Sequence, residues 1–184
     1  LLVFATLFVV SCNGPGVKET EAEGAITPEE LISRGEYLVT AAGCADCHAP
    51  KIMTEQGPEP DMDRYLMGFP ATDSLPPIPE GMADSPWILF YPELTAVVGP
   101  WGISYAANLT PDDTGLGTWT LDQFKRAIRE GKYKGLENSR PLMPPMPWQA
   151  YRNFSDQDLE AIFTYLKTLK PISNVVPAYQ PPTP

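Results

Sequence analysis

Histidine occurs once in this chain, at His48, and cysteine three times, at Cys12, Cys44 and Cys47. With one imidazole there is no second histidine to act as an acid–base partner. A closed structural zinc shell takes about four nitrogen or sulfur ligands, and with Cys12 assigned elsewhere (below) at most three remain. Basic residues are also scarce: 13 Lys and Arg stand against 23 Asp and Glu, for a net charge of −10. Such a surface repels phosphate backbones and excludes nucleic acid as a partner. Long apolar runs are missing too. The longest, Leu1 to Val10 with Thr6 inside it, falls short of the roughly 20 residues a membrane-spanning helix needs. No alternation of strand and helix patterns surrounds the cysteines, which argues against a dithiol redox fold.

What the chain does have in quantity is proline, 22 residues, with 14 glycines among its 184 positions. That length suits one domain with appendages. Leu1–Val10 followed by Ser11-Cys12 reads as the apolar core of an export signal. Val9-Val10-Ser11-Cys12 resembles the bacterial lipoprotein cleavage box, with Val9 where leucine is usual. Residues 1–11 are therefore expected to be a signal-peptide remnant, and Cys12 the lipidated first residue of the mature chain. Residues 12–27, polar and glycine-containing, read as a flexible tether spanning about 20 Å on average.

The chemistry concentrates in Cys44-Ala45-Asp46-Cys47-His48. Positions i, i+3 and i+4 share one face of a helical turn. Two thiols at that spacing, followed at once by an imidazole, form the arrangement that attaches a c-type haem. Cys44 and Cys47 are the expected thioether positions and His48 the expected proximal iron ligand.

Thr27-Pro28-Glu29-Glu30 opens a helix with a capping box and proline at its first position. Leu31, Ile32, Tyr37, Leu38 and Ala41 mark its apolar stripe, Gly35 a candidate site of close helix approach, and Gly43 its end. Between residues 49 and 107 ten prolines rule out long regular elements. Trp87, Phe90, Tyr91, Trp101 and Tyr105 in this stretch are candidates to pack along a flat cofactor, with Trp101 and Tyr105 as possible propionate donors. Asn108-Leu109-Thr110-Pro111-Asp112-Asp113 is turn chemistry. Thr120 caps a helix from Leu121 to Gly131, and Ser155 caps a last one bearing Leu159, Ile162, Phe163, Leu166 and Leu169 before Pro171. Between them lies Met143-Pro144-Pro145-Met146-Pro147-Trp148. Proline locks φ and restricts its predecessor, so Met146, flanked by prolines, is the favoured soft distal ligand. Met143 is its rival.

Taken together, Cys-Ala-Asp-Cys-His after a capped helix, Asn-Leu-Thr-Pro-Asp with Gly-Leu-Gly-Thr-Trp, Met-Pro-Trp, and Ser-Asp-Gln-Asp-Leu before Tyr-Leu-Lys-Thr-Leu resemble a class I-type monohaem cytochrome c domain. The chain is similar to the domains of cytochrome c subunits of bacterial membrane-bound alcohol and gluconate dehydrogenases. The resemblance covers roughly residues 28–177. It implies an all-α cytochrome c fold, the first and last helices crossing beside one covalent haem c, here with a long proline-rich insertion at 52–103. It implies Cys44 and Cys47 as attachments, His48 and Met146 as axial ligands, and one-electron transfer to redox proteins (a dehydrogenase, an oxidase or another cytochrome) rather than catalysis. Those dehydrogenase subunits carry three haem motifs, whereas this chain has one. Residues 178–184 are expected to form a disordered tail. The expected location is the periplasm-facing bacterial envelope, held to a membrane by lipid on Cys12. The competing readings are a haem enzyme or gas sensor with an open distal site, or an electron-accepting subunit of a larger oxidoreductase.

Overall fold

The computed structural model describes residues 26–182. The expected signal remnant, Cys12 and all but the last two residues of the expected tether lie outside them. Five helices and two small antiparallel sheets occur among the described residues. Helix α1 (Pro28–Ala41) begins as its sequence dictates: Thr27 Oγ1 accepts from the Glu30 amide at 3.2 Å, and the Glu30 carboxylate accepts from the Thr27 amide at 2.9 Å. One turn, α2 (Cys44–His48), follows immediately. After the sheets come α3 (Leu121–Glu130), closed by Gly131 in the left-handed region, the single turn α4 (Trp148–Tyr151), and α5 (Asp156–Thr168). Ser155 caps α5, its Oγ accepting from the Asp158 amide at 3.0 Å.

Helices α1 and α5 make the principal contact of the fold. The buried face of α1 is Gly35, Leu38 and Val39, and that of α5 is Leu159, Ala161, Ile162 and Leu166. This differs from the expected α1 stripe: Tyr37 and Ala41 are exposed, and the Tyr37 ring instead lies under the Arg34 guanidinium. Gly35, paired with Val39 one turn on, turns the helix so that its smallest residue meets α5. A Cβ on Gly35 would overlap the Ala161 carbonyl and stand 2.7 Å from Tyr165 Cβ. The two backbones are therefore closer than any side chain at position 35 allows. Phe124 of α3 closes this core against Phe163, ring centroids 5.3 Å apart, and Leu66 and Leu116 complete it.

The fold is not all-α. Prolines exclude helices from the middle of the chain, yet they permit strands wherever no amide hydrogen is required. Strands β1 (Lys51–Thr54) and β2 (Gly57–Pro60) form a hairpin with Met53 opposite Pro58 and Lys51 opposite Pro60. Pro58 and Pro60 alternate, so both missing donors fall on the edge away from β1, while the Asp61 amide returns to the Pro50 carbonyl at 2.8 Å. Strands β3 (Leu89–Phe90), β4 (Ala96–Gly99) and β5 (Gly102–Tyr105) form the second sheet, in that order. Its β4 is rich in the small and β-branched residues that suit a covered strand.

The end of the chain also departs from expectation. Gln180 pairs with Ile103 through reciprocal backbone bonds of 2.8 and 3.0 Å, and Tyr179 Oη donates to the Trp101 carbonyl at 2.6 Å. Residues 178–180 thus extend the outer edge of β5, using amides and carbonyls that a proline-rich tail was not expected to commit.

Gly35→Ala tests the close crossing. Overpacking costs roughly 1–3 kcal/mol, more than alanine regains in helix propensity, up to about 1 kcal/mol. The expected outcome is a lower denaturant midpoint at unchanged m-value. An equal or higher midpoint would show that α1 and α5 separate freely.

Candidate functional site

Gly43, in the left-handed region, lets the chain leave α1 and begin α2 one residue later; its carbonyl accepts from the Asp46 amide at 3.0 Å. Within the turn, Cys44 and Cys47 are both free thiols and half-buried. Cys44 packs with Ala45 against the helical core. Burial pushes the Cys44 thiol up to about 11, with Asp46 and Cys47 adding to the rise, and burial followed by Asp46 raises Cys47 as well. Both sulfurs are held as neutral thiols.

His48 Nδ1 lies 2.7 Å from the Ala107 carbonyl oxygen. A carbonyl only accepts, so Nδ1 carries the hydrogen and donates it. Burial lowers the imidazole pKa, against the Ala107 bond, which raises it. The neutral ring therefore keeps its lone pair on Nε2, and the bond from Nδ1 fixes the tautomer in which Nε2 is the nitrogen available to a metal.

The carbonyl that fixes this tautomer is itself fixed. Ala106 donates its amide to the Thr95 carbonyl at 2.8 Å and accepts from the Phe69 amide at 3.0 Å. The Leu109 amide reaches the Leu66 carbonyl at 2.8 Å, and the Gly68 amide reaches the His48 carbonyl at 2.8 Å. Residues 66–69 thus lie between the histidine turn and residues 106–109. Gly68 makes that possible: its φ is +78°, and a Cβ there would sit 2.6 Å from the Ala107 carbonyl carbon. At the C-terminal end of α2, Lys51 Nζ donates to the carbonyls of Ala45, Asp46 and Ala49 at 2.8, 3.0 and 2.5 Å. A cation suits that pole of a helix.

The segment carrying Met143 and Met146 is tied down at several points. The Leu142 amide bonds the Gly131 carbonyl at 2.6 Å, and the Met146 amide bonds that of Met143 at 3.3 Å. Ser104 Oγ donates to the Pro144 carbonyl at 2.6 Å while accepting from Trp101 Nε1 at 3.3 Å. Both methionines are half-buried, whereas Met53 and Met62 are exposed and Met67 lies buried. In α4, Tyr151 Oη donates to the Ala42 carbonyl at 2.5 Å. Its phenol is pushed up by burial first and then by Cys44 and Cys47. The methionine segment therefore ends in a turn anchored to the entrance of α2.

Trp101 does not stand as a free donor. Of Trp101 and Tyr105, only the Trp101 indole is committed as a donor, to Ser104; the Tyr105 hydroxyl accepts from Gln180 at 3.1 Å, which leaves its own hydrogen to donate, and its ring meets Phe69 edge-on. The Ala107 carbonyl, Lys51, Ser104 and Tyr151 went unnoticed in the sequence. A backbone acceptor leaves no compositional trace, and the other three act over separations or through atoms that spacing does not reveal.

Two neutral thiols on one turn and an adjacent imidazole with a free Nε2 lone pair, set against an apolar core, fit covalent attachment of a porphyrin. Among the described residues, no three His, Cys, Asp or Glu side chains gather to hold a bare metal ion. A family model described as Cytochrome c matches residues 32–170. The chain belongs to the cytochrome c family. Membership implies a covalently bound haem c. The fructose dehydrogenase cytochrome subunit of Gluconobacter japonicus is 30% identical over 182 residues, 97% of this chain and 30% of that protein. The gluconate 2-dehydrogenase cytochrome c subunit of Pantoea cypripedii is 30% identical over 138 residues, 74% of this chain and 23% of its own length. The cytochrome c subunit of alcohol dehydrogenase (quinone) from Gluconobacter oxydans is 26% identical over 147 residues, 79% of this chain and 23% of that one. This cytochrome thus spans less than a third of the length of these relatives.

Tyr151→Phe removes the donor from the Ala42 carbonyl. Leaving such a group unpaired costs roughly 1–3 kcal/mol, so the haem-loaded protein should lose that much in denaturant unfolding. Unchanged stability would mean that α4 does not anchor the turn from Cys44 to His48.

Proposed function

We propose that this cytochrome is a one-electron carrier holding a single haem c. Cys44 and Cys47 supply the thioether attachments, His48 Nε2 one axial ligand and Met146 the other. The haem iron supplies the change of oxidation state, and the chain supplies ligand choice, burial and a docking surface. The observation that carries this reading is the His48 tautomer, with Nδ1 bound to Ala107 and Nε2 unprotonated beside two free thiols.

Met146 is preferred over Met143 because Pro145 and Pro147 flank it on both sides, and Ser104 holds the same loop through the Pro144 carbonyl. A thioether is a weak ligand, and a stiff loop limits the entropy lost when it binds. Paired with histidine it raises the reduction potential of haem iron. Held by His48 and Met146, the iron would leave no place for substrate or gas. His48 is the sole histidine, so no second imidazole competes for iron or serves as a distal proton relay.

The names of the relatives support an electron-accepting role beside a dehydrogenase. We place the haem domain at 28–177, tethered through 12–27 to lipid on Cys12 at the periplasmic face of a bacterial membrane. No described helix is long and apolar enough to cross a membrane, and the lipid would supply the attachment.

The ligand set is tested by the oxidised absorption spectrum of the haem-loaded protein beside Met146→Ala and Met143→Ala. The weak far-red band of methionine sulfur on ferric haem should be present in the wild type, survive Met143→Ala and vanish in Met146→Ala, which alone should bind cyanide readily. A wild type without the band that takes up cyanide at modest concentration has an open distal site, and the enzyme or sensor reading replaces this one.

A further inference from the structure

Trp87, Ile88, Leu89 and Phe90 are consecutive, and all four are exposed, at 74%, 45%, 38% and 48%. Successive strand residues point to opposite faces, so neither face of β3 is fully covered. β3 is also an edge strand, paired only with β4 in its sheet. Edges in soluble proteins are normally blunted by charge, especially lysine, or by a covering element. Here large apolar side chains are presented instead.

The charged residues in the sequence on either side of this edge all have one sign. From residue 65 to residue 124 there is no Lys, Arg or His, while Asp73, Glu80, Asp84, Glu93, Asp112, Asp113 and Asp122 occur. Asp84 ends a short turn, Met82–Asp84, that packs on β4, and both Glu80 and Asp84 are exposed. Glu93 follows Phe90 by three residues, with one carboxylate oxygen buried and unpartnered. Lys51 and Arg64 both feel the charge of Glu93. Lys51 is spent on the three carbonyls of α2, and Arg64 is held by Asp61 at 2.7 Å.

We propose that the Trp87–Phe90 edge is the docking surface for a redox partner protein whose own contact surface is an apolar recess rimmed by lysine and arginine. This rests on the electron-carrier reading. An aromatic centre within a polar rim is the anatomy of a protein interface, and tryptophan is prominent among its strongest contributors. A rim of one sign speeds encounter with an oppositely charged partner and rejects like-charged ones. A second copy of this chain would bring an identical acidic rim and the same net charge of −10. An anionic lipid surface attracts Lys and Arg, which this edge lacks. The sheet also reaches the proposed ligand loop: its β5 carries Ser104, which holds the Pro144 carbonyl.

The test is zero-length carbodiimide coupling, which joins carboxylates to lysine amines, on the haem-loaded full chain in its native membranes, followed by peptide mass spectrometry. Glu80 or Asp84 should couple to a lysine of a different protein. Trp87→Ser/Phe90→Ser should lower the yield, and the electron-exchange rate with that purified protein, by about tenfold or more. Ile52→Ser/Met53→Ser, on the separate β1–β2 hairpin, should change neither. Both double variants alter exposed residues, and an unchanged thermal midpoint checks that they fold. In the wild type, the amides of 87–90 should also exchange hydrogen more slowly in the complex than alone, which tests the surface without any substitution. Coupling to a second copy, to Lys18 of the same chain or to nothing overturns the proposal. So does exchange that the Trp87/Phe90 variant leaves at the wild-type rate. A wild type that couples as expected but exchanges no electrons refutes the electron-carrier reading instead.

Discussion

The hydrogen bond from His48 Nδ1 to the Ala107 carbonyl joins two segments nearly sixty residues apart in sequence and decides which ring nitrogen is free. Much of the fold serves to hold its two ends. On one side, Gly43, Lys51 and Tyr151 hold the turn from Cys44 to His48. On the other, Thr95, Phe69 and the glycine at 68 hold residues 106–109 in place. Without that carbonyl, nothing would distinguish a histidine with Nε2 free from one with Nδ1 free. Spacing brings an imidazole next to two thiols; the tertiary structure chooses its tautomer.

The helical and strand parts divide the work. The α1–α5 crossing at Gly35 and Ala161 forms a core against which Cys44 packs, so the turn from Cys44 to His48 is fastened to that core. The strands between β1 and β5 add little to that core. They carry Ser104, whose hydroxyl holds the methionine loop, and they present an acidic, aromatic edge to solvent. One region thus supports the proposed distal ligand and offers a surface to a partner.

How far the sequence could be read followed the range of the interactions. The caps at Thr27, Thr120 and Ser155 are legible because their partners lie three residues away. The helical turn from Cys44 to His48 is legible for the same reason. The α1 face was misjudged because Tyr37 and Ala41 are apolar by type, whereas the contact is set by glycine, whose role appears only when α5 is present. The strands were hidden by proline, which excludes helices at once but is tolerated at alternate outward positions of a hairpin, as at Pro58 and Pro60. The fastening of Gln180 to Ile103 was invisible because it is made by backbone atoms across 77 residues. Trp101 reads as a spare donor until Ser104 is seen beneath it.

The most direct measurement is nitrogen-15 NMR of the histidine ring in the ferrous, haem-loaded full chain. A single histidine makes the assignment unambiguous. The account predicts a protonated Nδ1 with a through-bond coupling to the Ala107 carbonyl carbon, and an Nε2 that bears no hydrogen and is bound to iron. A protonated Nε2, or an Nδ1 that bears no hydrogen, would contradict it.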